Sequence, residues 1–216
     1  MAASHNSHLI IQFAKEPRAG KVKTRLASVL SENERNQLHS EMTAWVCKSL
    51  HALGPFQLWV SGNPHHKLFK DLQQQFNISL HTQQGNDLGE RMAHALQQGL
   101  EQFTKVIIVG SDCPFIDANY CQQALHALDD SEVVVGPAHD GGYVLLGLRK
   151  FNSNLFSNIE WGGDKVFAAT IDKIKNASMT FQALASLADV DRPEDLSLLN
   201  NDNLPSSLRG FTQERV

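Results

Sequence analysis

The chain has 216 residues, enough for one large α/β domain or two small ones with a substantial core. Its 42% hydrophobic and 19% charged residues are ordinary for a globular protein, and a net charge of −4 argues against general nucleic-acid binding. No apolar run approaches a membrane span, and the opening MAASHNSHLI lacks the pattern of a signal peptide. Cys47, Cys113 and Cys121 are odd in number and carry no metal-type spacing, so neither a disulfide framework nor a zinc site is expected. A reduced, cytoplasmic setting is the simplest fit.

The first apolar, β-branched run, HLIIQFA (8–14), reads as a buried strand. It leads straight into FAKEPRAGKVKTRL (13–26), which places Lys15, Arg18, Lys21, Lys23 and Arg25, five of the nineteen Lys and Arg, within eleven residues. Glu16 offsets one of them, and the rest repel unless an anion sits there or the side chains spread into water. A helix starting near Val22 would put Lys21 and Arg25 on one face with Thr24 beside them. Gly20 relaxes the backbone, and exposed N–H groups with cationic side chains suit a phosphate. The segment is neither a Walker A loop nor a dinucleotide fingerprint, because the required glycines are missing and Val22 follows Lys21. A solvated basic turn is the bland alternative; the position after strand one favours phosphate.

Ser31 and Glu34 have capping-box spacing and open a helix to about Leu53. FQLWVS (56–61), ISLHT (78–82), KVIIVG (105–110), EVVVGP (132–137) and YVLLGL (143–148) continue the series of buried strands. HHKLFKDLQQQF, LGERMAHALQQGLEQF and DANYCQQALHAL supply helices between them. Such alternation implies a mostly parallel sheet covered on both faces. Only AHDGG separates the fifth and sixth strands, too short for a crossover helix, so one of them should run antiparallel. GGDKVFAATIDKI and DRPEDLSLL read as two further helices, the second with Pro193 in its first turn. The polar tail (201–216) should be loosely held. One domain spanning 1–216, with its core at about 8–200, is the expected organisation.

In open α/β sheets ligands bind beyond the carboxyl ends of the strands. Asp112, in VIIVGSDCPFID, falls at such an end, where a carboxylate opposite a di- or triphosphate is a natural holder of Mg²⁺ or Mn²⁺. Capping the next helix is the alternative, although Asp117 is better placed for it. Asp140 with Gly141 and Gly142 makes a tight turn, and Asp140 and Tyr143 face either that turn or a ligand. Asp189 and Asp191 read first as caps, with Asp191 as a possible second metal carboxylate. Gly85, Asp87 and Gly89 open a helix that carries Arg91 in its first turn, a candidate ligand loop. Trp161, before two glycines, reads as a stacking wall or as core packing. His65 and His66 give no metal signal.

In this order, FAKEPRAGKVKTRL, QQGNDLGERM, GSDCPFID, GPAHDGGYVLLGL, WGGDKVF and DVDRPEDL resemble the bacterial DUF2064 proteins. That family is also called transferase 1, rSAM/selenodomain-associated, or the arsenosugar-biosynthesis-type glycosyltransferases. The resemblance covers roughly residues 8 to 200. It implies a single-domain, Rossmann-like GT-A fold with a central mostly parallel mixed sheet, as in nucleotide-diphospho-sugar transferases. Molybdenum-cofactor and phospholactate guanylyltransferases are more distant relatives that use a basic loop after strand one. The resemblance makes Lys15, Lys21, Lys23 and Arg25 the phosphate-binding group and Asp112 the metal carboxylate. Asp140, the candidate general base, and the Gly141–Gly142 turn form the acceptor side of the pocket, with Tyr143 and Trp161 beside it. Ser111-Asp112-Cys113-Pro114 offers one carboxylate rather than Asp-x-Asp, which is closer to nucleotidyltransferases, and Arg192 stands where the pattern has Thr. The implied activity is metal-dependent glycosyl transfer from a nucleotide sugar to a small acceptor, with nucleotidyl transfer from an NTP next and non-catalytic nucleotide binding third.

Overall fold

A computed structural model describes residues 7–212. The opening segment that bears on a signal peptide therefore lies largely outside the described residues. Seven strands form one sheet in the order β3-β2-β1-β4-β6-β5-β7. They are β1 (Leu9–Lys15), β2 (Phe56–Ser61), β3 (Ser79–Thr82), β4 (Val106–Val109), β5 (Val133–Pro137), β6 (Tyr143–Leu148) and β7 (Phe181–Ala183). The antiparallel member of the last predicted pair is β6, which lies between β4 and β5 and opposes both. The other pairings are parallel.

Alternation along the strands divides the core between two faces. On one face Ile10, Leu58, Ile107 and Val134 pack with residues of α1 (Glu32–Leu50), α2 (Lys67–Phe76) and α4 (Ala118–Asp130). On the other, Leu9, Ile11, Val106 and Val135 meet α3 (Leu88–Leu100) and α5 (Val166–Asn176). The predicted capping box is present: Ser31 Oγ accepts from the Glu34 N–H, and the Glu34 carboxylate accepts from the Ser31 N–H at 2.9 Å. Asp117 caps α4 in the same manner. No described helix is long and apolar enough to cross a membrane.

Several expectations change. Strand β3 is an edge strand and partly exposed, not buried. Strand β7, three residues long, was not anticipated. No helix starts at Val22; Lys23 takes a left-handed backbone (φ 49°), and a single 3₁₀ turn covers Thr24–Leu26. Pro193 does open its helix, but Pro193–Leu199 is 3₁₀. Asp189 and Asp191 do not cap it: Asp195 reaches back to accept from the N–H groups of Asp191 and Arg192. Nor is the tail loose as far as it is described. Leu204 and Leu208, the latter on α6 (Ser206–Arg209), are buried with Leu26, Leu38, Met42 and Val190, each contributing about 2 kcal/mol of burial free energy.

Candidate active site

The loops at the carboxyl edge surround a cleft of about 400 Å³. Lys15, Lys21, Lys23, Thr24 and Arg25 of the basic loop line one wall; Asp112, Asp140, Tyr143, Trp161 and Asp191 line others. An adjoining cavity of about 410 Å³ shares Lys15, His39, Asp112 and Asp140 and adds Gln83, Arg91 and Asp189. Thus strands β1, β3, β4, β5 and β7 each release a loop into one concavity.

The basic loop holds its charges unequally. Lys23 is buried and its ammonium lies 2.5 Å from Asp112 Oδ1 and 2.6 Å from the Val190 carbonyl. The left-handed turn at Lys23 is what directs this side chain inward rather than along the loop. Val190 in turn donates its N–H to the Asp112 carbonyl at 2.9 Å. Arg25, half exposed, donates to Asp191 Oδ2 at 2.9 Å. Lys15 and Lys21 are exposed and make no side-chain ion pair among the described residues. Glu16 accepts from the Asn63 N–H at 2.9 Å and forms no ion pair with these cations among the described residues.

Asp112 is half exposed to the cleft. Desolvation favours its neutral acid, but the Lys23 ammonium and His39 outweigh this and hold the carboxyl well below the usual range. His39 lies in the buried stripe of α1, with one ring nitrogen 2.9 Å from the Lys15 carbonyl and the other 3.8 Å from Asp112. Because a carbonyl only accepts, Nε2 must carry a proton, which leaves Nδ1 toward Asp112. Behind them Gln12, fully buried in β1, donates to the Thr43 carbonyl and to Ser111 Oγ, and Ser111 donates to the Phe13 carbonyl. This network ties β1, α1 and the end of β4 together directly beneath Asp112.

The other side of the cleft is acidic. Asp140 Oδ1 accepts from the Gly142 N–H at 2.9 Å, fixing the turn. Asp189 is pushed up to about 6, by burial first and then by Asp140 and Asp191. That mutual repulsion marks negative charge the protein does not fully neutralise. A hard dication fits such a donor set. Among the described residues no three His, Cys, Asp or Glu side chains converge to hold an ion by themselves. One or two of these carboxylates, with phosphate oxygens and water, would complete a Mg²⁺ or Mn²⁺ shell.

The remaining candidates divide. Arg91 lines the inner cavity, donating to the Gly85 carbonyl and to Ser61 Oγ. Asp87 lines neither cavity; it caps α3 through the Glu90 N–H. Arg18 and Gly20 also lie outside both linings. Gly141 is a packing position rather than a lining one, and Tyr143 turns its hydroxyl toward Met92 Sδ, 3.8 Å away. Trp161 lies over Gly89, where a β-carbon would come within 2.5 Å of the indole ring. Sequence reasoning missed His39, Gln83 and Asp189 as members of the site. For His39 a signal existed: a polar residue at the helical spacing of the apolar stripe Leu38–Met42–Val46.

The comparisons agree with this architecture. A solved candidate nucleotide-diphospho-sugar transferase from Desulfovibrio desulfuricans G20 is 32% identical, with a TM-score of 0.84 over 94% of this chain and 90% of that one. A cytidylyltransferase from Leptospira borgpetersenii shares the fold at 11% identity, with a TM-score of 0.58 over 98% and 99% of the two chains. CMP:2-keto-3-deoxy-manno-octonic acid synthetase, solved with CTP, does so at 10% identity and a TM-score of 0.54 over 90% and 97%. None of the curated proteins matches the chain. The family described as uncharacterized proteins conserved in bacteria (DUF2064) matches over residues 48–163. With that match across more than half its length, the chain belongs to the DUF2064 family.

Proposed function

We propose that the protein transfers a group from a nucleotide-activated donor, and that the donor is a nucleotide-diphospho-sugar whose sugar passes to a small acceptor. The observation that carries this reading is the cleft itself: Lys15 and Lys21, with no ion partner among the described residues, stand on one wall, and Asp112, Asp140 and Asp191 on others, all at the carboxyl edge of the sheet. The likeness to the D. desulfuricans protein supports the choice of donor.

In this reading Lys15, Lys21 and Arg25 bind the diphosphate and offset its growing charge as the bond to the sugar breaks. Asp112, with Asp191 second, would hold Mg²⁺ or Mn²⁺, which supplies charge stabilisation at the diphosphate oxygens. The acceptor hydroxyl oxygen bonds to the anomeric carbon, the carbon–oxygen bond to the diphosphate breaks, and the hydroxyl proton passes to a carboxylate. Asp140 is one candidate for that base. Asp189, whose carboxyl is pushed up to about 6 by burial first, is another.

Nucleotidyl transfer from an NTP is the second reading, favoured by the lone carboxylate of Ser111-Asp112-Cys113-Pro114. The same loop would then stabilise the α-phosphate and departing pyrophosphate. Thermal stabilisation against nucleotide sugars and triphosphates, with and without Mn²⁺, tests both. Mn²⁺-dependent stabilisation by a nucleotide sugar, followed by release of a nucleoside diphosphate, supports sugar transfer. A triphosphate preference with pyrophosphate release supports the second reading, and no stabilisation by any member of the panel removes both.

A further inference from the structure

We infer that the two carboxylates proposed for the metal are held in the resting site by cations of the basic loop, so that divalent metal and nucleotide bind with positive coupling. The inference rests on the function proposed above. The two carboxylates assigned to the metal, Asp112 and Asp191, are each held by a cation of the loop assigned to the phosphates: Asp112 by Lys23 at 2.5 Å and Asp191 by Arg25 at 2.9 Å. Lys23 is the stronger of these ties. Its side chain is 1% exposed, and the Val190 carbonyl provides a second bond at 2.6 Å.

A metal that takes Asp112 alone weakens the pairing of a buried ammonium, and uncompensated buried charge is strongly unfavourable. A phosphate that draws Arg25 alone leaves Asp191 unpaired, and places a new anion beside it and Asp112. When both arrive, the metal takes the carboxylates, the phosphates take Arg25, and their negative charge replaces that of Asp112 in the field at buried Lys23. Each ligand thus removes the obstacle to the other, and the coupling acts equally in both directions. The Arg25–Asp191 pair is half exposed and solvent-screened, so its share is smaller.

The test is Mn²⁺ binding to the full chain without nucleotide, followed by the paramagnetic signal of free Mn²⁺. Wild type is expected to bind weakly, and Lys23→Met about tenfold more tightly. Adding Asp112→Asn to Lys23→Met should abolish that gain. Arg25→Met changes an exposed pair and should give a smaller gain in the same direction. This variant carries the test if circular dichroism shows Lys23→Met to be unfolded. Wild-type affinity equal to that of a folded Lys23→Met overturns the inference, as does an unchanged affinity in Arg25→Met. A parallel equilibrium dialysis of wild type with GDP, UDP, CDP and ADP in Mn²⁺ separates the two claims. Binding of a diphosphate together with tight nucleotide-free Mn²⁺ binding removes the coupling alone; no binding of any diphosphate removes the proposed function and the inference with it.

Discussion

Gly141 and Asp164 meet backbone to backbone: a β-carbon on Gly141 would lie 2.0 Å from the Asp164 carbonyl oxygen. Gly141 also has φ +90°, and its carbonyl accepts from the Phe167 N–H at 2.9 Å. The turn that carries Asp140 is therefore docked on the segment leading into α5. Gly141→Ala must adopt a left-handed backbone and separate the two segments. We expect a loss of about 2 to 3 kcal/mol in urea unfolding, with weakened ligand stabilisation. An unchanged midpoint would show that the turn is not held against Asp164.

Asp189 gives a pH dependence whose sign is fixed. Burial, then Asp140 and Asp191, push its carboxyl from 3.8 up to about 6. The native protein thus binds this proton more tightly than the unfolded chain does. Its contribution is fully favourable below about pH 4 and is lost as pH rises through about 6. Asp189→Asn should therefore exceed wild type in stability by about 1 to 2 kcal/mol at pH 7.5 and match it near pH 4. Urea unfolding at both pH values checks this, and a variant less stable than wild type at pH 7.5 contradicts it.

Gln12 presents two donors to acceptors fixed by the fold, the Thr43 carbonyl and Ser111 Oγ. Gln12→Glu removes those donors and buries an acid in the middle of the sheet. The expected cost is about 3 kcal/mol at neutral pH. Gln12→Met, which forfeits the bonds without adding charge, should lose less. Equal stabilities for the two variants would mean that charge burial at this position is relieved by water.

Cys47, Cys113 and Cys121 are free and buried, and burial is the first cause pushing each thiol up to about 12. For Cys113, Asp189 and Asp112 add to the effect against two backbone hydrogen bonds. Native protein at pH 8 should react with an aromatic disulfide reagent only at the rate of unfolding, and denatured protein should release three equivalents at once. Fast native labelling of Cys113 would open the question of a thiol in the chemistry.

Much of the frame was legible because it is written in local patterns. FQLWVS and YVLLGL are strands at the residues expected, and Ser31 caps α1 through Glu34 as their spacing requires. What escaped depends on distant partners or on weak local signals. Strand β7 has three residues, two of them exposed, and shows no apolar alternation to read. Leu204 and Leu208 sit in a polar stretch and find their neighbours far off in sequence, at Leu26 and on α1, as well as around Val190 and Leu196. Lys23 is the sharpest case. In sequence it is one of five equivalent cations; its burial follows from a left-handed turn and a carboxylate on a strand end that the chain reaches much later. Asp189 read as a cap because the residue that does the capping, Asp195, acts backwards along the chain.

The sheet order has a consequence for biosynthesis. Strand β1 leaves the ribosome before the other six described strands, yet it pairs with β2 on one side and β4 on the other. Until Val106–Val109 emerges, LIIQFA has one open edge and an apolar face without its final cover, the state in which nascent chains associate wrongly. The basic loop follows this strand immediately, while Asp112, its counter-ion, becomes available only after β4 does. Its cationic repulsion thus persists through the same interval, keeping the exposed strand beside a strongly solvated, like-charged segment. Closure of β4 against β1 covers that edge and brings Asp112 to Lys23, while Arg25 waits for Asp191.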